Sequence, residues 1–75
     1  MGKIVRQVLD GYVTLIEWSP SDPETVEEAE IIFRREVEGG YMAVRQDDGV
    51  HATEPVHNLP VDAERVVMTM PRGGG

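Results

Sequence analysis

Apolar and polar positions along the chain repeat at two different periods, and the change of period divides it into elements. From Asp22 to Glu38, DPETVEEAEIIFRREVE, the spacing is helical. At about 100° per residue, Val26, Ala29, Phe33 and Val37 fall on one stripe with Ile32 on its flank. Asp22 suits the N-cap and Pro23 the first helical position, and Glu24, Glu27 and Glu28 lie beside the positive end of the helix dipole. Gly39-Gly40 follows at once and offers a left-handed exit. A single amphipathic helix does not stay folded in isolation, so the flanking segments must supply a surface for its stripe.

Those flanks are β-like. KIVRQVL, Lys3 to Leu9, and YVTLIEW, Tyr12 to Trp18, read as two strands around Asp10-Gly11, a strong hairpin signal. A two-residue loop there pairs Val8 with Val13, Arg6 with Leu15 and Ile4 with Glu17 on one face. Leu9, Tyr12, Gln7, Thr14, Val5 and Ile16 then occupy the other. Neither face is cleanly apolar, which leaves the core side open and a bulge as the way to shift the register. Ser19-Pro20-Ser21 breaks the second strand. After the helix, YMAVRQ, Tyr41 to Gln46, alternates as a third strand with Met42 and Val44 on one face. Asp47-Asp48-Gly49 is a turn, and Val50 to Thr53 is a short fourth strand. Pro55 and Pro60 bracket an irregular segment whose Val56 and Leu59 plug the edge of the core. ERVVMTM, Glu64 to Met70, is the last strand, with Val66, Met68 and Met70 on one face, and Pro71 ends it. The expectation is a single α+β domain over residues 1–71, order ββαβ(β)β, a mixed four- to five-stranded sheet crossed by one helix. A flexible glycine tail, 72–75, follows.

Composition narrows the function. With 75 residues and no cysteine, the chain has room for one core and neither disulfides nor thiol chemistry to support it. Fourteen acidic side chains against seven basic ones give a net charge of −7, and the basic residues are scattered, so there is no patch to meet nucleic-acid phosphates. No apolar run is long enough to span a bilayer and no signal-peptide pattern is present, which makes a cytoplasmic monomer with protein partners the default. No cofactor is expected.

The order of elements, the hairpin around Asp10-Gly11, the lead-in Pro20-Ser21-Asp22, the Val56–Met70 stretch and the ending Arg72-Gly73-Gly74-Gly75 together resemble the ubiquitin-like β-grasp family. That family includes protein modifiers and the sulfur carriers of molybdopterin and thiamin synthesis. The resemblance spans the whole chain in element order and spacing. It implies a β-grasp roll whose C-terminal glycine carboxylate is activated by an ATP-dependent E1-like enzyme. Transfer to an acceptor protein through an isopeptide bond, or conversion to a thiocarboxylate, would follow, and the chain itself would not be an enzyme. Gly73, Gly74 and Gly75 would pass through a narrow channel because they lack Cβ, and Arg72 would anchor the tail on a partner carboxylate. The tail departs from the family in having three glycines rather than two, with Pro71 at its root. Lys3, the only lysine, is the one side chain open to self-conjugation, which suits a single-use modifier or a sulfur carrier. The competing class is a non-catalytic β-grasp module, for example an accessory protein of a larger assembly such as a phage particle, with an inert tail.

Other candidates have plainer explanations. Ile31 lies opposite the core stripe, and Tyr41, Ala43, Arg45, Val67 and Thr69 are the candidates for a partner-binding patch on the sheet's outer side. His51, Glu54 and His57 have the three-residue spacing of helical metal ligands, but Pro55 disfavours a helix there and a solvated loop accounts for them. Ser19 and Ser21 have no nearby base and serve as turn and cap residues.

Overall fold

The computed structural model describes residues 1–47 and 50–70, with the side chains of 50–54 outside that description. Its elements are β1 (Gly2–Val8), β2 (Gly11–Trp18), α1 (Pro23–Glu38), β3 (Met42–Asp47), β4 (Val50–Pro55) and β5 (Arg65–Thr69). Among the described residues the strands form one mixed sheet in the order β2-β1-β5-β3-β4. β1 and β5 run parallel, and the β1–β2, β3–β5 and β3–β4 pairs are antiparallel. α1 packs across one face, so the domain is α+β and compatible with the β-grasp expectation. The Asp48-Gly49 part of the expected turn lies outside the described residues.

The hairpin differs from its expected register. Val8 pairs with Gly11, so Leu9 and Asp10 form the loop, and Arg6 lies opposite Val13 rather than Leu15. A bulge at Ile4/Val5 then returns Ile4 to Ile16 and leaves Leu15 without a partner of its own. The physical reason is the apolar run in β2. The extra residue lets consecutive Leu15 and Ile16 both pack against the core, which strict alternation forbids. It also settles the core side: Ile4 on β1 and Trp18 on β2 are buried beneath α1.

The helix begins as its sequence dictates. Asp22 accepts a hydrogen bond from the Glu24 N–H at 3.2 Å, with Pro23 in the first turn. Gly40, at φ +102°, supplies the left-handed residue at the exit, where any side chain would be strained. Ala29 and Phe33 are buried, and Val26 and Ile32 are half-buried against the core. Val37, expected on the buried stripe, is instead 40% exposed, and Glu36 is buried. The helical wheel explains the exchange: relative to Ala29, Glu36 lies within about 20° and Val37 about 80° away.

The segment after β4 closes the core. Val56, Leu59 and Val61 pack against it and Ala63 is buried. The Trp18 indole N–H donates to the Val61 carbonyl at 3.0 Å. A Cβ on Gly2 would lie 2.2 Å from the Trp18 ring, so only glycine allows β1 to start against it. In β5, Val66 and Met68 are fully buried as expected, while Met70 falls past the strand end and is exposed.

Two stability predictions follow from this packing. Phe33→Ala should cost about 3–5 kcal/mol, read as the free-energy change in urea unfolding. Gly2→Ala should lower the midpoint in the same assay, whereas Ile31→Ala, on the exposed side of α1, should leave it nearly unchanged.

Candidate functional site

The tail residues Arg72, Gly73, Gly74 and Gly75, with Pro71 before them, lie outside the described residues. β5 is the central strand, and after Thr69 the chain reaches Met70, whose Sδ sits 3.9 Å from the position of a Cβ on Gly40. Met70, the last described residue, thus lies beside the exit of α1.

The candidate partner-binding residues do not form one surface. Ile31 is 52% exposed on the outward side of α1, beside Arg34, Arg35 and Glu38. Tyr41 is half-buried against the core, with the Arg6 guanidinium 4.9 Å above its ring. Ala43 is buried beneath the helix because it pairs with Met68 on the core side. Arg45 pairs with core-facing Val66, and its guanidinium is committed to ion pairs with Asp47 and Asp62. Val67 and Thr69 lie on the layer opposite Ile31. They border a shallow depression of about 200 Å³ together with Gln7, Tyr12, Val44, Arg45 and Gln46. Arg65 shapes this outer face: its guanidinium lies 5.2 Å from the Tyr12 ring centre and donates to Gln46 Oε1 at 3.0 Å. Tyr12, Gln46 and Arg65 were not candidates from sequence. The signal for them was the alternation of β5, which sends Arg65 outward with Val67 once Val66 and Met68 are in the core. Lys3, half-buried, lies between Glu17 of β2 and Arg65 of β5.

A second concavity lies on the helix side. Phe33, Val37 and Leu59 give it an apolar lining, and Glu30, Arg34, Glu38, His57 and Asn58 rim a volume of about 210 Å³. It runs on past Val37 and His57 to Tyr41, Pro55 and Val56. This groove is the space left open because Val37 lies off the centre of the buried stripe.

Two charged clusters brace the fold. Arg6, on the core side of β1, donates Nε to Glu36 Oε1 at 2.8 Å and Nη2 to Oε2 at 2.7 Å, a bidentate pair from sheet to helix. Arg45 binds Asp62 through both terminal nitrogens at 3.1 Å and Asp47 through Nε at 2.7 Å. The Asp47 carboxylate also accepts the Glu64 N–H at 3.0 Å, fastening the lead-in of β5 to β3. That N–H and the Arg45 guanidinium hold the Asp47 carboxyl below its ordinary range, and Arg45 does the same for Asp62. Among the described residues, no three His, Cys, Asp or Glu side chains converge as metal ligands. The side chains of His51 and Glu54 lie outside the description. No described helix is long and apolar enough to cross a membrane.

In comparisons with known proteins, the chain matches no family model, no curated protein and no solved structure.

The Asp47 and Asp62 shifts set a pH dependence. Both carboxyls are depressed in the fold, so their contribution is present above the unfolded carboxylate value near 3.9 and is lost as pH falls through the lower folded values. Acid titration followed by far-ultraviolet dichroism should show Asp47→Asn with a shallower loss of stability below about pH 4 than the parent. An equal slope in the two proteins would refute the assignment.

Proposed function

We propose that the chain is a β-grasp, ubiquitin-like carrier whose Gly75 carboxylate is activated by another enzyme and transferred. The observation that carries this reading is the placement of β5. The strand that precedes Pro71-Arg72-Gly73-Gly74-Gly75 in the sequence is central in the sheet and parallel to β1, which supports the reading. In the reaction a carboxylate oxygen of Gly75 attacks the α-phosphorus of ATP and pyrophosphate leaves. A sulfur nucleophile then attacks the acyl carbon and displaces AMP. Glycine suits this chemistry because a chain without Cβ atoms can lie extended close to a nucleotide. The partners are an E1-like activating enzyme and, downstream, acceptor proteins or a sulfur-consuming reaction.

A second reading, a non-catalytic β-grasp interaction module with an inert tail, is favoured by the apolar side chains left exposed on the hairpin: Val8, Leu9, Tyr12 and Val13. Two measurements separate the readings. The carrier requires a free carboxylate at Gly75, so mass analysis of the C-terminal peptide from the natural protein should end there. Incubation with a candidate activating enzyme and ATP should then add an adenylate or thioester at Gly75, and deletion of Gly75 should abolish it. A natural chain that continues uncleaved past Gly75 would exclude the carrier and leave the module.

A further inference from the structure

We propose that the sheet's outer face binds an acidic segment of a partner protein, with Arg65 as the anchor for one glutamate or aspartate carboxylate. The proposal does not depend on the tail. Arg65 opens the central strand and is held from two sides. The Tyr12 ring centre lies 5.2 Å from its guanidinium carbon, and Gln46 Oε1 accepts from Nη1 at 3.0 Å. Those contacts fix the guanidinium and leave one of its edges unused. Nε is closed to solvent with no hydrogen-bond partner, and Nη2 has no acceptor among the described residues. A buried donor left unpaired is costly, so this edge favours any acceptor that can reach it.

Another arginine of the chain shows what such an edge takes. Arg6 uses the same two nitrogens, Nε and Nη2, to hold both oxygens of Glu36 at 2.8 and 2.7 Å. Two acceptor oxygens in one plane are what a carboxylate presents. Arg65 has the edge but no carboxylate: it makes no ion pair among the described residues. Tyr12, 51% exposed on the edge strand, covers the site, and its ring turns aside for the carboxylate to reach Nε.

Local charge fits an acidic occupant although the whole chain is acidic. Lys3 of β1 is the register partner of Arg65, about 4.8 Å away across the strands, and also makes no ion pair among the described residues. Both turn outward because their neighbours Ile4 and Val66 are buried in the core. Of the nearby acids, Asp47 is committed to Arg45 and the Glu64 N–H, and Glu64 is engaged as well. That leaves two unpaired cations against Glu17, which lies beyond Lys3 on β2. The outward side of α1 carries Glu24, Glu27 and Glu28, so an acidic segment is drawn to the sheet and turned away from the helix. The depression that Tyr12, Val44 and Val67 border takes an apolar side chain next to the bound carboxylate. The occupant is therefore a short segment in which a glutamate or aspartate stands beside an apolar residue.

Nuclear magnetic resonance titration of the full chain at low salt, with the blocked peptide acetyl-Gly-Val-Glu-Val-Gly-amide as probe, tests the proposal. The Arg65 Nε–H signal should move and saturate in the millimolar range, with the Tyr12 ring and Val67 amide signals moving in step. The same peptide with glutamine in place of glutamate should bind roughly tenfold more weakly, and so should inorganic phosphate, which brings no apolar neighbour. Arg65→Lys keeps the charge but loses the two-nitrogen edge, and should weaken binding of the glutamate peptide about tenfold. Dichroism checks that this variant is folded, and the comparison of the two peptides on the parent needs no variant at all. An Arg65 Nε–H signal that stays in place at millimolar peptide, equal binding of the glutamine peptide, or equal binding of phosphate would each overturn the proposal. A folded Arg65→Lys protein that binds like the parent would do the same.

Discussion

The fold depends on how Trp18 is buried. Its ring ends β2, lies against the first residue of β1, and hydrogen-bonds the segment that leads into β5. One side chain thus ties together three parts of the chain that are far apart in sequence. Without it, the Val61–Ala63 segment keeps only the Arg45–Asp62 pair to hold it to the sheet, and the helix loses part of its floor. In a protein this small with no cysteine, such a contact does work that a disulfide performs elsewhere.

Charge plays the complementary part. The chain is strongly acidic, yet the arginines that face the interior are spent on defined partners: Arg6 on Glu36, Arg45 on Asp47 and Asp62. A part-buried ion pair such as Arg6–Glu36 adds little net stability compared with apolar packing, but mispairing would leave the buried Glu36 charge isolated, so it favours one docking of helix on sheet. The surplus acid is displayed on the outward side of α1 at Glu24, Glu27 and Glu28. The same helix therefore sets its own packing through Glu36 and carries much of the surplus charge on its surface.

Element order, the helix with its cap and exit, and the buried β5 positions were legible in the sequence because each rests on local chemistry or simple periodicity. Register was not. Leu15 and Ile16 are neighbours in a strand, and nothing local announces that a bulge will turn both inward. Glu36 was hidden for a different reason: a carboxylate on the apolar stripe reads as polar until Arg6, thirty residues away, is seen beneath it. Ala43 and Arg45 were placed on the outer side because the sheet's facing depends on β5 pairing between β1 and β3, a non-local fact. Val37 shows that the apolar stripe of a helix can be longer than the core that covers it.

The central position of β5 has a consequence for synthesis. The strand that every inner neighbour needs is the last of the described elements to be synthesised. The β1–β2 hairpin and α1 emerge first, but they have only each other to pack against, and β1 and β3 both wait with an unpaired edge. Folding is therefore held back until β5 has been made, and the sequence separation of the β1–β5 pairing makes closure the slow step. Until then the nascent chain exposes Ile4, Val5 and Ala43, all of which are sealed in the finished protein.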